Sequence, residues 1–282
     1  MNTSSSPRVR RGFVDVDEGQ VHFRYAGQGR GRPVVLIHAS PGSSLGLEPL
    51  VASLASDRYV VAPDTMGNGD SHGSMPEIPD IDFFAQRALE AIDALGIDKF
   101  DLYGTHTGAS VAAEIAIRNP ERVNSLIMDG VGLYSDEMQA ELLENYAPAM
   151  KPDLHGSHIN WAWHFVRDTY MFWPWYRTDA AHRRQLGLPS ADVLHGKVVD
   201  VLKAIETYHH SYRAAFRFDK RKRFAEISVP TLAVCAASDM LMKWHDEFAA
   251  LIPNSTKAVI PAVTTDPDEA AAIFRNFLDR EL

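Results

Sequence analysis

The chain has 282 residues, 45% hydrophobic and 23% charged, a balance that excludes a disordered or fibrous polymer and suits one α/β domain with an insertion. Its formal net charge of -9 leaves no basic footprint, so nucleic acid and anionic membrane are not expected partners. A single cysteine, Cys235, rules out an internal disulfide and fits a reducing compartment.

Residues 1-11 mix Ser, Pro and Arg without the apolar stretch of a secretory leader, and are expected to form a flexible N-terminus. No run of about 18 apolar residues occurs, so a cytoplasmic protein is expected. Gly12 to Asp17 and Gln20 to Tyr25 flank Glu18-Gly19 and predict an opening antiparallel hairpin at a sheet edge. Short apolar runs then follow at Pro33–Ile37, Tyr59–Ala62, Phe100–Tyr103, Ser125–Met128, Thr231–Cys235 and Lys257–Ile260. Runs of that length, alternating with helical patterns, predict a mostly parallel sheet covered by helices on both faces. Helices are expected at about 81–95, 107–118, 240–251 and 267–281, the last started by an Asp266 N-cap and Pro267. The run Lys220 to Arg223 reads as a solvated helix end. Between Gly130 and Ile227 the alternation fails, and residues 134-224 are rich in His, Trp, Tyr and Arg at helical spacing. A structureless loop of that length is improbable in a compact domain, so this segment is expected to be a helical lid inserted between core segments 12-133 and 225-282.

The strand Phe100–Tyr103 runs into Gly104-Thr105-His106-Thr107-Gly108 and then into an Ala-rich helix. Strand, tight turn and helix are the setting that a G-x-nucleophile-x-G elbow requires, with small residues two positions either side of the centre. On these residues the chain resembles the α/β-hydrolase superfamily. Three further segments carry the same resemblance: His38-Ala39-Ser40-Pro41-Gly42 is similar to the family's oxyanion loop, Asp64 to Ser71 to its Asp-x-x-Gly-x-Gly-x-Ser loop, and Ala237-Ser238-Asp239 to the place of its acid. The resemblance implies an α/β-hydrolase fold, an oxyanion hole built from the N–H groups of Thr107 and of Ser40 or Ala39, and an acid at Asp239.

Two departures bear on function. The elbow centre is His106, which has no hydroxyl to acylate, and no histidine lies beyond His245, whereas the family's base follows the last strand. The serine triad therefore does not carry over. A His106/Asp239 dyad is expected instead, with Asp239 orienting an imidazole that acts as base or nucleophile. Asp129, at the end of a strand, is the rival orienting acid. His38, Asp129, His158, Trp161, His209 and Tyr212 are the candidate substrate-binding side chains. His158 or His209 is also placed to stand in for the lost base. Most lid aromatics are expected to pack and a few to line an apolar pocket. The 12 histidines show no H-E-x-x-H spacing, and no G-x-G-x-x-G occurs, so neither metal nor nucleotide cofactor is expected.

These features predict a cofactor-independent hydrolase of a small bulky or aromatic ester, lactone, amide or C–C bond. A lyase, cyclase, decarboxylase or oxygenase in the same site is the alternative, and a non-catalytic ligand-binding protein the second. A small molecule is the expected partner, and a homodimer is left open.

Overall fold

The computed structural model describes residues 7–29 and 31–280; the expectation for 1-11 thus falls largely outside the described residues. The chain opens with β1 (Arg10–Val16), β2 (Gly19–Ala26) and β3 (Gly31–Ile37), followed by α1 (Glu48–Leu54), β4 (Arg58–Pro63) and the two-residue β5 (His72–Gly73). Then come α2 (Ile81–Ala94), β6 (Phe100–Thr105), α3 (Thr107–Arg118) and β7 (Val123–Asp129). A helical insertion follows: α4 (Asp136–Asn145), α5 (Ser157–Met171), α6 (Ala191–Lys203), α7 (Tyr208–Arg217) and α8 (Lys220–Phe224). The chain returns to the sheet with β8 (Thr231–Ala236), α9 (His245–Ala250), β9 (Ser255–Ile260) and α10 (Pro267–Leu278).

The strands form one sheet in the order β1-β2-β4-β3-β6-β7-β8-β9, with β5 beside β2. β1 and β2 pair antiparallel, and β3 to β9 along this path pair parallel. Side chains alternate across a strand, and here the alternation divides two apolar layers. Val35 and Ile37 of β3 pack with Phe84 of α2 and Ile115 of α3, while Val34 and Leu36 pack with Leu50 and Val51 of α1 and Phe274 of α10. Both faces are buried, which is why these strands read as continuous apolar runs rather than as alternating ones. The insertion has its own apolar cluster, with Phe165 and Val166 of α5, Val198 and Val201 of α6, and Tyr208 at its centre.

Several boundaries shift. Strand β1 begins at Arg10, so Arg10 and Arg11 are paired with Tyr25 and Arg24 instead of fraying. The expected helix 240–251 divides into a short 3-10 turn, Met242–Trp244, and α9. Asp266 makes no capping hydrogen bond to α10; its carboxylate instead accepts from the Thr265 hydroxyl at 2.7 Å. The basic run is not simply solvated, because Arg223 donates to the buried Glu114 of α3 at 2.8 and 3.0 Å and so clamps the end of the insertion to the core.

Candidate active site

The sheet changes winding direction at β3 and β6: β4 lies on one side of β3, and β6 on the other. The crevice at such a point, beyond the carboxyl ends of the strands, is where open α/β sheets bind ligands. The loop after β3 carries His38 to Gly42, and the turn after β6 carries His106.

His106 has φ 52 and ψ -111, among the described residues the one non-glycine residue with positive φ. Such a conformation costs on the order of 1–3 kcal/mol, and the surroundings hold it. The His106 N–H donates to Asp129 O at 2.9 Å. The flanking glycines allow close passage: a Cβ at Gly104 would lie 2.3 Å from Gly108 O, and one at Gly108 would lie 2.4 Å from Ile37 O. The imidazole leans over Gly130, where an added Cβ would come within 2.8 Å of its Cδ2 and Nε2.

The ring Nε2 meets Asp239 Oδ2 at 2.8 Å. Asp239 is held in turn by the Leu241 N–H, which donates to Oδ1 at 2.8 Å. Burial alone would raise the Asp239 pKa, but the His106 charge and hydrogen bond, the Leu241 N–H and the charge of Arg184 bring it down to about 2. The carboxylate is therefore ionised and acts as acceptor, which places the ring proton on Nε2 and the lone pair on Nδ1. Burial opposes the imidazolium as well; Asp239 outweighs it, and the His106 pKa is raised above the ordinary histidine value. The side chain of His106 is one-third exposed.

Other expected roles change. Asp129 is not the orienting acid: its Oδ2 accepts the Tyr103 hydroxyl at 2.7 Å beneath the elbow, and burial pushes its pKa up to about 6. It is buried and not placed to touch substrate. His38 is also buried; its Nδ1–H donates to Ala39 O at 2.9 Å and its Nε2 accepts from the Thr65 N–H at 2.9 Å. Both nitrogens are thus used in bracing the oxyanion loop. The Ser40 N–H, expected as an oxyanion donor, donates to Thr107 Oγ1 at 2.6 Å, and that hydroxyl lies 3.0 Å from Ser40 Oγ. The Thr107 side chain therefore occupies one donor of the hole. The Thr107 N–H, at the start of α3, remains a donor without an intrahelical acceptor. Behind these groups is a cavity of about 10 Å³, lined by Ser40, Thr107, Phe84 and Ser211 among others, which is room for about one water.

The insertion residues are mostly structural. The Nδ1 of His158 accepts from the Asp153 N–H at 3.2 Å at the start of α5. Trp161 stacks on Phe165 at 4.9 Å and meets Tyr208 at 5.3 Å, inside the insertion's own core. Tyr212 packs on Tyr146 at 5.2 Å and on Phe216 at 5.9 Å. His209 is buried, and among the described residues its Nδ1 has no partner; burial, then the charges of His210 and Arg213, bring its pKa down to about 4. It makes no hydrogen bond to His106. Asp64 accepts from His22 Nδ1 at 2.9 Å and from the N–H groups of Ser44 and Asp70 at 2.7 and 3.0 Å. His22, Asp64 and Asp70 lie close together, but Asp70 is paired with Lys203 at 2.7 Å.

The sequence does not single out Tyr134, Arg184 or Trp244. Tyr134, Trp173 and Trp244 pack on one another, with ring centroids at 6.4, 5.1 and 5.8 Å. The charge of Arg184, from the insertion, acts on both His106 and Asp239. The aromatic richness of residues 134-224 was a usable signal for Tyr134 and Trp173, but not for Trp244, which lies beyond that segment. An arginine in an exposed-looking Arg-Arg pair carries none.

The family description "alpha/beta hydrolase fold" matches residues 32–263. The chain belongs to the α/β-hydrolase-fold family. This α/β-hydrolase-fold protein is 27% identical over 239 residues to a protein named for carbamate hydrolysis, RutD, of Rhizobium rhizogenes, covering 79% of this chain and 82% of that one. It is 36% identical over 129 residues to the 2-hydroxymuconate semialdehyde hydrolase of Pseudomonas sp., covering 45% and 44% of the two chains. Among solved structures, the enol-lactonase of Burkholderia xenovorans LB400 superposes with a TM-score of 0.72 at 18% identity, covering 95% of this chain and all of that one. At that identity the likeness shows the fold alone. No helix among the described residues is long and apolar enough to cross a membrane.

Proposed function

We propose that the protein is a hydrolase acting on a small bulky or aromatic ester, lactone, amide or C–C bond, with His106 as the catalytic base and Asp239 as the residue that orients it. The observation that carries this reading is the 2.8 Å Nε2–Asp239 bond on a strained elbow, which turns the ring proton to Asp239 and leaves the lone pair on Nδ1. Support for hydrolysis comes from the relatives, which are named hydrolases. In the proposed step Nδ1 takes a proton from water as its oxygen attacks the substrate carbonyl, and the imidazolium, stabilised by Asp239, returns the proton to the leaving group. The Thr107 N–H, aided by the positive end of α3, supports the developing oxyanion. The helical insertion acts as a lid over this site, and the chain's own side chains suffice for the chemistry.

A second reading, a lyase or another proton-transfer reaction, is favoured by one observation: the Ser40 N–H is taken by the Thr107 hydroxyl, which weakens the case for a tetrahedral intermediate. Replacement of His106 by Ala is expected to abolish turnover while circular dichroism and the melting temperature stay near wild type. Full activity in that variant would overturn the role of His106 in either reading. Turnover in ¹⁸O-water separates the two: label in the product is expected for hydrolysis, and unlabelled product selects the lyase.

A further inference from the structure

An open cavity of about 790 Å³ lies at the β1 edge of the sheet, walled by Arg8, Arg10, Arg11, Phe13, His22 and Asp70 among others. Neither the His106/Asp239 dyad nor the oxyanion loop lines it. β1 and β2 pair with Phe13 opposite His22 and Arg11 opposite Arg24. Opposed residues of an antiparallel pair share a face, so Arg11 and Phe13 stand on the same face as His22, and Arg8 and Arg10 join them from the start of the strand.

The cavity is cationic. Among the described residues none of its three arginines pairs with a carboxylate, in contrast to Arg24 and Arg58, whose carboxylate partners lie at 2.9 and 2.8 Å. Asp70 is the acidic residue in the wall, and it is already neutralised, because Lys203 Nζ donates to its two oxygens at 2.7 and 2.8 Å. An anion in the cavity thus meets guanidinium forks, each with five N–H donors.

His22 adds a demand of its own. It is 1% exposed, and its Nδ1 meets Asp64 Oδ2 at 2.9 Å. Burial would raise the Asp64 pKa, but the His22 hydrogen bond, the charge of His38 and the N–H groups of Ser44 and Asp70 bring it down to about 2. Asp64 is therefore the acceptor, the ring proton is on Nδ1, and Nε2 carries a lone pair. Nε2 is buried, and among the described residues it has no partner. A buried acceptor left unmade is costly, and a ligand that brings an O–H satisfies it. Hydrogen phosphate and sulfate share shape and charge, but only the phosphate carries a proton. A phosphate monoester is the poorer fit, since above its second ionisation, at about pH 6, its phosphate has no proton to give.

We infer that this cavity is a binding site for inorganic phosphate, with Arg8, Arg10 and Arg11 donating to its oxygens and His22 Nε2 accepting its O–H. The site is separate from the chemistry proposed at His106 and stands or falls without it.

The test titrates the full chain at pH 8 with phosphate, sulfate and phenyl phosphate, with binding measured by calorimetry. The wild type is expected to bind phosphate about tenfold or more tightly than sulfate, the scale of one otherwise unmade buried hydrogen bond, and to bind phenyl phosphate no better than sulfate. His22→Asn, whose amide keeps a donor for Asp64 and removes the Nε2 acceptor, is expected to melt near the wild type and to bind phosphate and sulfate alike. Arg11→Gln is expected to weaken both anions together and to keep the preference for phosphate. His106→Ala is expected to leave all three affinities unchanged. No phosphate binding, equal binding of phosphate and sulfate to the wild type, or affinities untouched by Arg11→Gln overturns the site. A preference that survives in His22→Asn overturns the role of Nε2, and tighter binding of phenyl phosphate than of phosphate overturns free phosphate as the ligand.

Discussion

At His106, two opposing terms set the titration. Burial disfavours the imidazolium, while the charge and hydrogen bond of Asp239 favour it and prevail, so the pKa is raised. A base works from the neutral ring, so kcat/KM is expected to fall as pH drops, with its inflection above the ordinary histidine value of about 6.5. Asp239→Asn is expected to move that inflection down and to lower turnover about 10²- to 10⁴-fold; an inflection unmoved by the substitution contradicts the dyad. The same pair contributes to stability over a definite window. The raised His106 pKa gives stability that is fully present below its unfolded value and lost as pH rises through the folded one. The lowered Asp239 pKa, about 2, gives stability that is present above its unfolded value and lost as pH falls toward 2. The contribution is thus greatest between about pH 4 and 6.5. Asp129 has the opposite sign: its pKa, up at about 6, makes it a cost that grows as pH rises from about 4 through 6. Tyr103→Phe removes its hydrogen-bond donor, and the expected loss is about 1–3 kcal/mol near pH 8 and less at pH 5, read from denaturant midpoints at the two pH values.

Among the elements, the β6-to-α3 elbow is the most constrained. Its sequence announces it, because Gly104 and Gly108 are required where strand and helix backbones nearly touch, and no larger residue meets that requirement. The end of β7 is as tightly built but was not legible. Gly130 has φ +67, and the imidazole lies where its Cβ would be. Gly130→Ala is therefore expected to displace the ring from Asp239 and to destabilise the fold by roughly 1–3 kcal/mol. Loss of the His106–Asp239 signal in the imidazole proton NMR spectrum, with a parallel loss of turnover, is the check, and a retained signal speaks against this account. The oxyanion loop shows the limit of motif reading. His38-Ala39-Ser40-Pro41 marks the loop, but the hydroxyl of Thr107 that takes the Ser40 N–H comes from a residue 67 positions later, and no local pattern connects the two.

At the scale of the molecule, the helical insertion is joined to the core by polar contacts as well as by apolar packing. The Ser43 hydroxyl donates to the buried Asp200 of α6 at 2.9 Å, Lys203 pairs with Asp70, and Thr207 Oγ1 donates to Gly67 O. Ser43→Ala leaves the buried Asp200 carboxylate without this donor, at a cost of about 1–3 kcal/mol. Amide exchange is expected to quicken across α6 and α7 while β6 and β7 keep their protection. Uniform loss of protection across the sheet would show that the joint supports the whole fold and does not act only on the insertion.

The sequence by itself determined the layered fold, the place of the elbow, the existence of the helical insertion and the absence of a serine at the elbow, because each depends on local periodicity, turn chemistry or residue identity. Only the tertiary structure decided that Asp239 and not Asp129 meets His106, and that Thr107 occupies an oxyanion donor. Those facts depend on distances between side chains 133 and 67 residues apart, which are set when the strands of the sheet and their loops pack together. Side-chain identity limits which partners are chemically acceptable; packing chooses among them.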